Sequence, residues 1–286
     1  MTLPGALVSA EWLDAHLGEP GLAVADVRWS LDGGTADAEA GFERGHIPGA
    51  VFVDLDRDLA RHAFTGGPGR HPLPAPRDFA DTMSGHGIGD DVSVVVYDDV
   101  RGSIGARLWW MLDALDHDVA LLDGGLQAWA GSLETGPSAS PARAVFTARP
   151  WPAQRIADAS DVVADLETGA RVVLDARASE RYRGEIEPID RVPGHIPGAL
   201  EAPWTDNLDP QSGRFLSPEG LRERFATLGV VDRHGAVVHC GSGVTSCHHA
   251  LAMRVAGLPT PRLYVGSWSD WISDPRRPIA TGPYPT

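Results

Sequence analysis

The sequence predicts an α/β protein made of two tandem copies of one domain, each a mostly parallel sheet flanked by helices. Three observations predict it. Short apolar runs of strand length alternate along the chain with helix-length runs. The hexapeptide Gly-His-Ile-Pro-Gly-Ala stands at residues 45–50 and again, letter for letter, at 194–199, an interval of 149 (194 − 45). Asp26-Val27-Arg28 returns as Asp175-Ala176-Arg177 at that same interval, and residues 121–129 are paralleled by 263–271 at an interval of 142 (263 − 121). A chain of 286 residues has room for two domains of ordinary size. The expected organisation is a first copy over residues 1–135, a Pro-, Ser- and Ala-rich linker over 136–153, and a second copy over 154–286.

Each element has its own local reason. Ser9 is placed to cap a helix over residues 8–17, and residues 22–27 read as a buried strand. A polar stretch leads to the first hexapeptide, after which residues 51–53 form a second short strand candidate. Residues 72–76 are a proline-bounded loop, 77–87 a helix, and 92–97 a strand of β-branched residues closing on Asp98. Residues 106–115 make a strongly apolar helix, 119–122 a strand, and 124–129 a turn into a helix.

The net charge is −15, from 24 Lys and Arg against 39 Asp and Glu. So acidic a chain disfavours nucleic acid and anionic membrane as partners, and any anionic substrate then needs locally placed cations. No basic segment leads an apolar one at the start, no run of 18 apolar residues occurs, and there are two cysteines. The expectation is a soluble, reduced, cytoplasmic protein.

The stretch with the clearest chemistry is residues 236–246. Ala236-Val237-Val238 delivers Cys240 into the turn Gly241-Ser242-Gly243-Val244-Thr245, and helix-permissive residues begin at Ser246. Converging turn amides and a helix N-terminus favour an anionic sulfur over a neutral thiol, so the setting suits a nucleophile. Cys247 reads as a packed residue, because a turn and helix between the two cysteines oppose a disulfide. At the interval of 142, Cys240 falls opposite Asp98 (240 − 142), so one copy carries a nucleophile and the other a carboxylate. His239, His248 and His249 beside a lone cysteine do not give the spacing of a closed zinc site, and no metal or cofactor is expected.

These residues resemble the tandem rhodanese family of sulfurtransferases. Its domains each carry an HIPGA element, an active-site loop and a G-[GS]-x-x-x-W segment, which is similar to residues 124–129 and 266–271 here. The resemblance spans residues 7 to 271. It implies two rhodanese-like domains and an enzyme that takes sulfur from a small-molecule donor onto Cys240 as a persulfide. The sulfur then passes to a thiol acceptor such as thioredoxin or a small thiol, or to cyanide. The loop is similar to that of the 3-mercaptopyruvate group; the thiosulfate group has two basic residues after the cysteine, where Gly241 and Ser242 stand here. Mercaptopyruvate is therefore the expected donor and thiosulfate the alternative.

By the same resemblance, Ser242 assists Cys240, and Gly241, Gly243, Val244 and Thr245 complete the donor-binding loop. Arg181 matches the arginine that holds the donor carboxylate, with Arg183 as its neighbour, and Arg191 is an offset counterpart of a second carboxylate-binding arginine. His46, with Asp37 nine residues before it (46 − 37), matches a proposed proton relay to the cysteine and serine. Ser246 stands where the family usually has alanine.

Plainer readings accompany these. Arg181 and Arg183 have Glu180, Glu185 and Glu187 as surface partners, and His46 and His195 suit the holding of a tight turn. Asp26 with Arg28 and Asp175 with Arg177, present in both copies, read as ion pairs at strand ends. Two other classes compete with sulfur transfer. A cysteine-dependent phosphatase shares the His-Cys and glycine-containing loop, but it needs an arginine six residues after the cysteine, where Ser246 stands. A non-catalytic sulfur carrier would use Cys240 only to accept sulfur from a protein partner.

Overall fold

The computed structural model describes residues 2–31, 33–60, 69–137, 141–230 and 235–285. The strand and helix signals of the first copy become β1 (Leu7–Val8), α1 (Ala10–His16), β2 (Leu22–Asp26), α2 (Gly34–Arg44), β3 (Val51–Phe52), α3 (Pro76–Gly85), β4 (Ser93–Tyr97), α4 (Ala106–Ala114) and β5 (Val119–Leu122). Ser9 Oγ accepts the Trp12 amide and caps α1 as its position predicts. α2 occupies the stretch read only as polar. Its helical signal is thin: Gly33 brings no capping side chain, and only Ala38 and Phe42, one turn apart, are buried.

The second copy repeats the order as β6 (Ile156–Ala157), α5 (Ala159–Thr168), β7 (Val172–Asp175), α6 (Ser179–Tyr182), β8 (Leu200–Glu201), α7 (Pro218–Thr227), β9 (Ala236–His239), α8 (Cys247–Val255), β10 (Arg262–Tyr264) and α9 (Ser267–Trp271). Among the described residues there are two five-stranded sheets, ordered β1-β5-β4-β2-β3 and β6-β10-β9-β7-β8, with every strand pair parallel. The two topologies are the same, as the repeated sequence requires. β4 and β9 lie at the centre of their sheets and are buried along their whole length, which is why both read as unbroken apolar runs.

The described chain divides into two compact units: residues 2–60 with 73–151, and residues 69–72 with 152–285. Residues 141–151, inside the stretch expected to link the copies, pack on the first unit. Ala144 and Phe146 donate their amides to the Ser84 carbonyl and hydroxyl, and the Phe146 and Trp151 rings stand 5.7 and 5.2 Å from that of Phe79. Among the described residues no helix is long and apolar enough to cross a membrane.

The repeated motifs have a common structural use. Arg28 forks onto Asp26 and donates to the Gly45 carbonyl, and Arg177 forks onto Asp175 and donates to the Gly194 carbonyl. Each arginine thereby ties the end of an interior strand, β2 or β7, to the start of the hexapeptide. The histidine that follows is fully buried in both units: His46 stacks on Phe42 and donates Nδ1–H to its carbonyl, while His195 does the same with Tyr182. The two histidines thus have identical seats in the two units.

Candidate active site

Cys240 leaves β9 where the central strand of its sheet ends, the place at which open parallel sheets bind ligands. Its side chain is buried. The Cys240 amide donates to Ser267 Oγ, and the carbonyls of Cys240 and Gly241 accept the amides of Trp268 and Ser269 in the first turn of α9. With those carbonyls engaged by α9, the loop turns the amides of Ser242, Gly243 and Ser246 onto the sulfur. Burial pushes the Cys240 thiol up, but the Ser246 hydroxyl and these amides outweigh it and hold the thiol below its ordinary value. Ser246 Oγ is buried without another hydrogen-bond partner, which leaves it to serve the sulfur.

Two backbone positions make this loop possible. Gly243 has φ +75°, and a Cβ there would lie 2.3 Å from the Val265 carbonyl oxygen. Ser267 has φ +53°, a region that costs a non-glycine residue about 1 kcal/mol or more. Its hydroxyl offsets that strain by accepting the Cys240 amide while donating to the Tyr264 carbonyl. At the interval of 142 its counterpart in the first unit is Gly125, with φ +64°.

The first unit acts as an internal control for what the loop holds. Asp98 Oδ1 accepts the amides of Val100 and Gly102, and Oδ2 those of Ile104 and Gly105, all within 2.7–2.9 Å. The Leu126 amide closes on the Asp98 carbonyl just as that of Trp268 closes on Cys240. Burial pushes the Asp98 carboxyl up, and four amides oppose it. The loop is thus a nest of N–H donors around an acceptor at the strand end. In the first unit a carboxylate fills it permanently; in the second it surrounds a reactive sulfur.

Arg181, on α6, stands beside this loop. It forks onto Glu187 and reaches Asp190 at 3.1 Å, and a Cβ placed on Gly241 would lie 3.5 Å from its Nη2. Arg183 and Arg191 do not converge there: Arg183 pairs with Glu201 and Arg191 donates to the Ile272 carbonyl. Val244 and Thr245 supply carbonyls to the first amides of α8. Cys247 is buried with its thiol on the Gly243 carbonyl, and neither cysteine is in a disulfide. His248 and His249 face Asn207, each with Nδ1 2.9 Å from its amide nitrogen.

The relay expected from Asp37 and His46 is not assembled as a pair. Asp37 is exposed on α2, and the carboxylate near His46 Nε2 is that of Glu134, at 3.7 Å. The histidine against the loop serine is His71, whose Nδ1 lies 2.7 Å from Ser242 Oγ. Arg70 beside it pairs with Asp190 and lies against Gly241. Neither was singled out from the sequence: residues 70–74 have no periodicity, and their only signal is two adjacent basic side chains ahead of a proline-bounded loop.

A thiol held anionic by backbone donors at the end of a parallel strand defines a cysteine-nucleophile transferase on an α/β sheet. Comparison with known proteins makes that class specific. The sequence matches the rhodanese-like domain family over residues 9–132 and again over 158–274, and the chain belongs to that family. It is 48% identical over 96% of its length to a Pseudomonas aeruginosa protein named as a 3-mercaptopyruvate sulfurtransferase, covering 98% of that protein. It is 41% identical over 93% of its length to a Mycobacterium tuberculosis protein named as a thiosulfate sulfurtransferase, covering 92% of it. The solved 3-mercaptopyruvate sulfurtransferase of Leishmania major superposes with a TM-score of 0.83 at 31% identity, over 97% of this chain and 77% of that one. The expectation of tandem rhodanese-like domains is borne out, and the chain is an enzyme, a sulfurtransferase.

Proposed function

We propose that the enzyme takes sulfur from 3-mercaptopyruvate onto Cys240 and passes it to a thiol acceptor, thioredoxin or a small thiol, in the cytoplasm. The observation that carries the reading is the amide nest around Cys240, which stabilises both the attacking thiolate and the persulfide anion it becomes. Neutral Gly241 and Ser242, and the name of the Pseudomonas relative, support mercaptopyruvate as donor.

In the proposed first step, Cys240 thiolate attacks the donor sulfur and forms an S–S bond. The donor's C–S bond breaks, and its electron pair passes into the adjacent carbonyl as an enolate. The donor's thiol proton ends on the methylene carbon, giving pyruvate, and the persulfide keeps the negative charge. Ser242 and His71 carry that proton, a reading supported by the hydrogen bond between them and by the Ser242 amide on the sulfur. Arg181 faces the donor carboxylate. An acceptor thiolate then attacks the outer sulfur and regenerates Cys240.

Two measurements test this reading. Comparing kcat/KM for mercaptopyruvate and thiosulfate with one thiol acceptor is expected to favour mercaptopyruvate; preference for thiosulfate would overturn the donor. His71→Gln is expected to lower kcat for mercaptopyruvate by about 10² or more with little change in KM. An unaltered kcat would remove His71 from the proton path.

A further inference from the structure

We infer that the Ser246 hydroxyl speeds discharge of the Cys240 persulfide at the expense of its formation. The inference rests on Cys240 being the sulfur-accepting nucleophile. Ser246 stands at the N-cap of α8 in helical conformation, with φ −63° and ψ −20°. The amides of Cys247, His248 and His249 go to the carbonyls of Val244, Thr245 and Ser246, so the helix start needs no side-chain cap. Ser9 and Ser217, at the N-caps of α1 and α7, do spend their hydroxyls on first-turn amides. Ser246 is fully buried and its Oγ has no other partner among the described residues, which leaves its one donor for the Cys240 sulfur.

The first unit shows what this adds. At the interval of 142, Ser246 falls opposite Ile104 (246 − 142), whose amide donates to Asp98 Oδ2 at 2.9 Å. The Ser246 amide takes the same seat against the sulfur. Both units therefore share the amide, and the hydroxyl occurs only beside the group whose charge comes and goes in each cycle.

A hydroxyl donor binds a thiolate more strongly than a neutral bridging sulfur. In charging, Sγ begins as the thiolate and ends as the inner sulfur of the persulfide, with the charge on the outer sulfur. The hydrogen bond weakens along that step and opposes it. In discharge, the acceptor thiolate forms a bond to the outer sulfur, the bond from Sγ to that sulfur breaks, and its electron pair returns to Sγ. The same hydrogen bond now strengthens in the transition state and favours the step. A thiolate stabilised in this way is a weaker nucleophile and a better leaving group.

The test uses the full-length enzyme and its Ser246→Ala variant, in which no backbone group loses a partner. Cys240 is charged with inorganic polysulfide at a pH where the thiol is fully ionised, then discharged with 2-mercaptoethanol. Both rates are read from the mass of the peptide containing Cys240. One hydrogen bond to a charged group corresponds to about a tenfold effect on the thiolate. With about half of it expressed in each transition state, charging should be about threefold faster in the variant and discharge about threefold slower. The ratio of discharge to charging is then expected to fall about tenfold. Loosening of the loop alone would slow both steps together, and an unchanged ratio would overturn the role of Ser246. Polysulfide charges Cys240 whatever the natural donor, so a wild-type preference for thiosulfate would defeat the mercaptopyruvate reading while leaving this test intact. A wild-type enzyme that takes up no sulfur on Cys240 would overturn the nucleophile and this role together.

Discussion

Cys240→Ser is expected to abolish sulfur transfer from mercaptopyruvate and thiosulfate alike, a loss of at least about 10⁴ in kcat. A serine hydroxyl at neutral pH is neither ionised nor able to carry sulfur as a persulfide, so the two-step route closes and the amide nest has no anion to stabilise. The fold should be unaffected, since Asp98 occupies the equivalent seat without disturbing the loop around it. The same physics predicts the pH profile. A thiol held below its usual value of about 8.5 is ionised at lower pH, so the acidic limb of kcat/KM should have its midpoint below that value. Retained turnover in the serine variant would refute the covalent route.

Asp175→Ala is expected to destabilise the second unit by about 3–5 kcal/mol, the scale for stranding one partner of a buried ion pair. Arg177 would keep the Gly194 carbonyl, a 3.4 Å contact with Glu187 and the face of Trp268, yet lose a bidentate partner at almost no exposure. The effect should reach catalysis, because the Trp268 amide holds the Cys240 carbonyl and Arg177 packs on that indole. Burial pushes the Asp175 carboxyl up, but the charges of Arg177 and His239 reverse this and hold it well below the usual range. A depressed carboxyl contributes its stability above its unfolded pKa of about 3.9 and loses it as pH falls toward the folded value. The stability gap between wild type and Asp175→Asn should therefore narrow below about pH 4. Urea denaturation measures both, and coincident curves at neutral pH would contradict the account.

Much of this was legible because the sequence repeats itself. The hexapeptide and Asp-x-Arg intervals reveal the duplication, and the comparison of Cys240 with Asp98 shows that one copy carries a nucleophile and the other a carboxylate. α2 escaped because its apolar face is two residues deep. His46 stands out in the sequence because it sits in a conspicuous motif, but His195 in the same motif makes the same turn contacts. Motif repetition marks what the fold needs in both copies, whereas the chemistry belongs to residues that occur once. His71, proposed above to carry the proton, is of that second kind: its place against Ser242 comes from the return of residues 69–72 to the second unit, and no local pattern encodes that path. Ser246 stands where the family usually has alanine, and its buried hydroxyl contributes to lowering the thiol.

The most direct test is the mass of the enzyme after reaction with 3-mercaptopyruvate in the absence of an acceptor. The account predicts a gain of one sulfur atom per chain, located on the peptide containing Cys240, released with one equivalent of pyruvate and removed by added thiol. Pyruvate formation with Cys240 unmodified, or sulfur found on Cys247 instead, would contradict it.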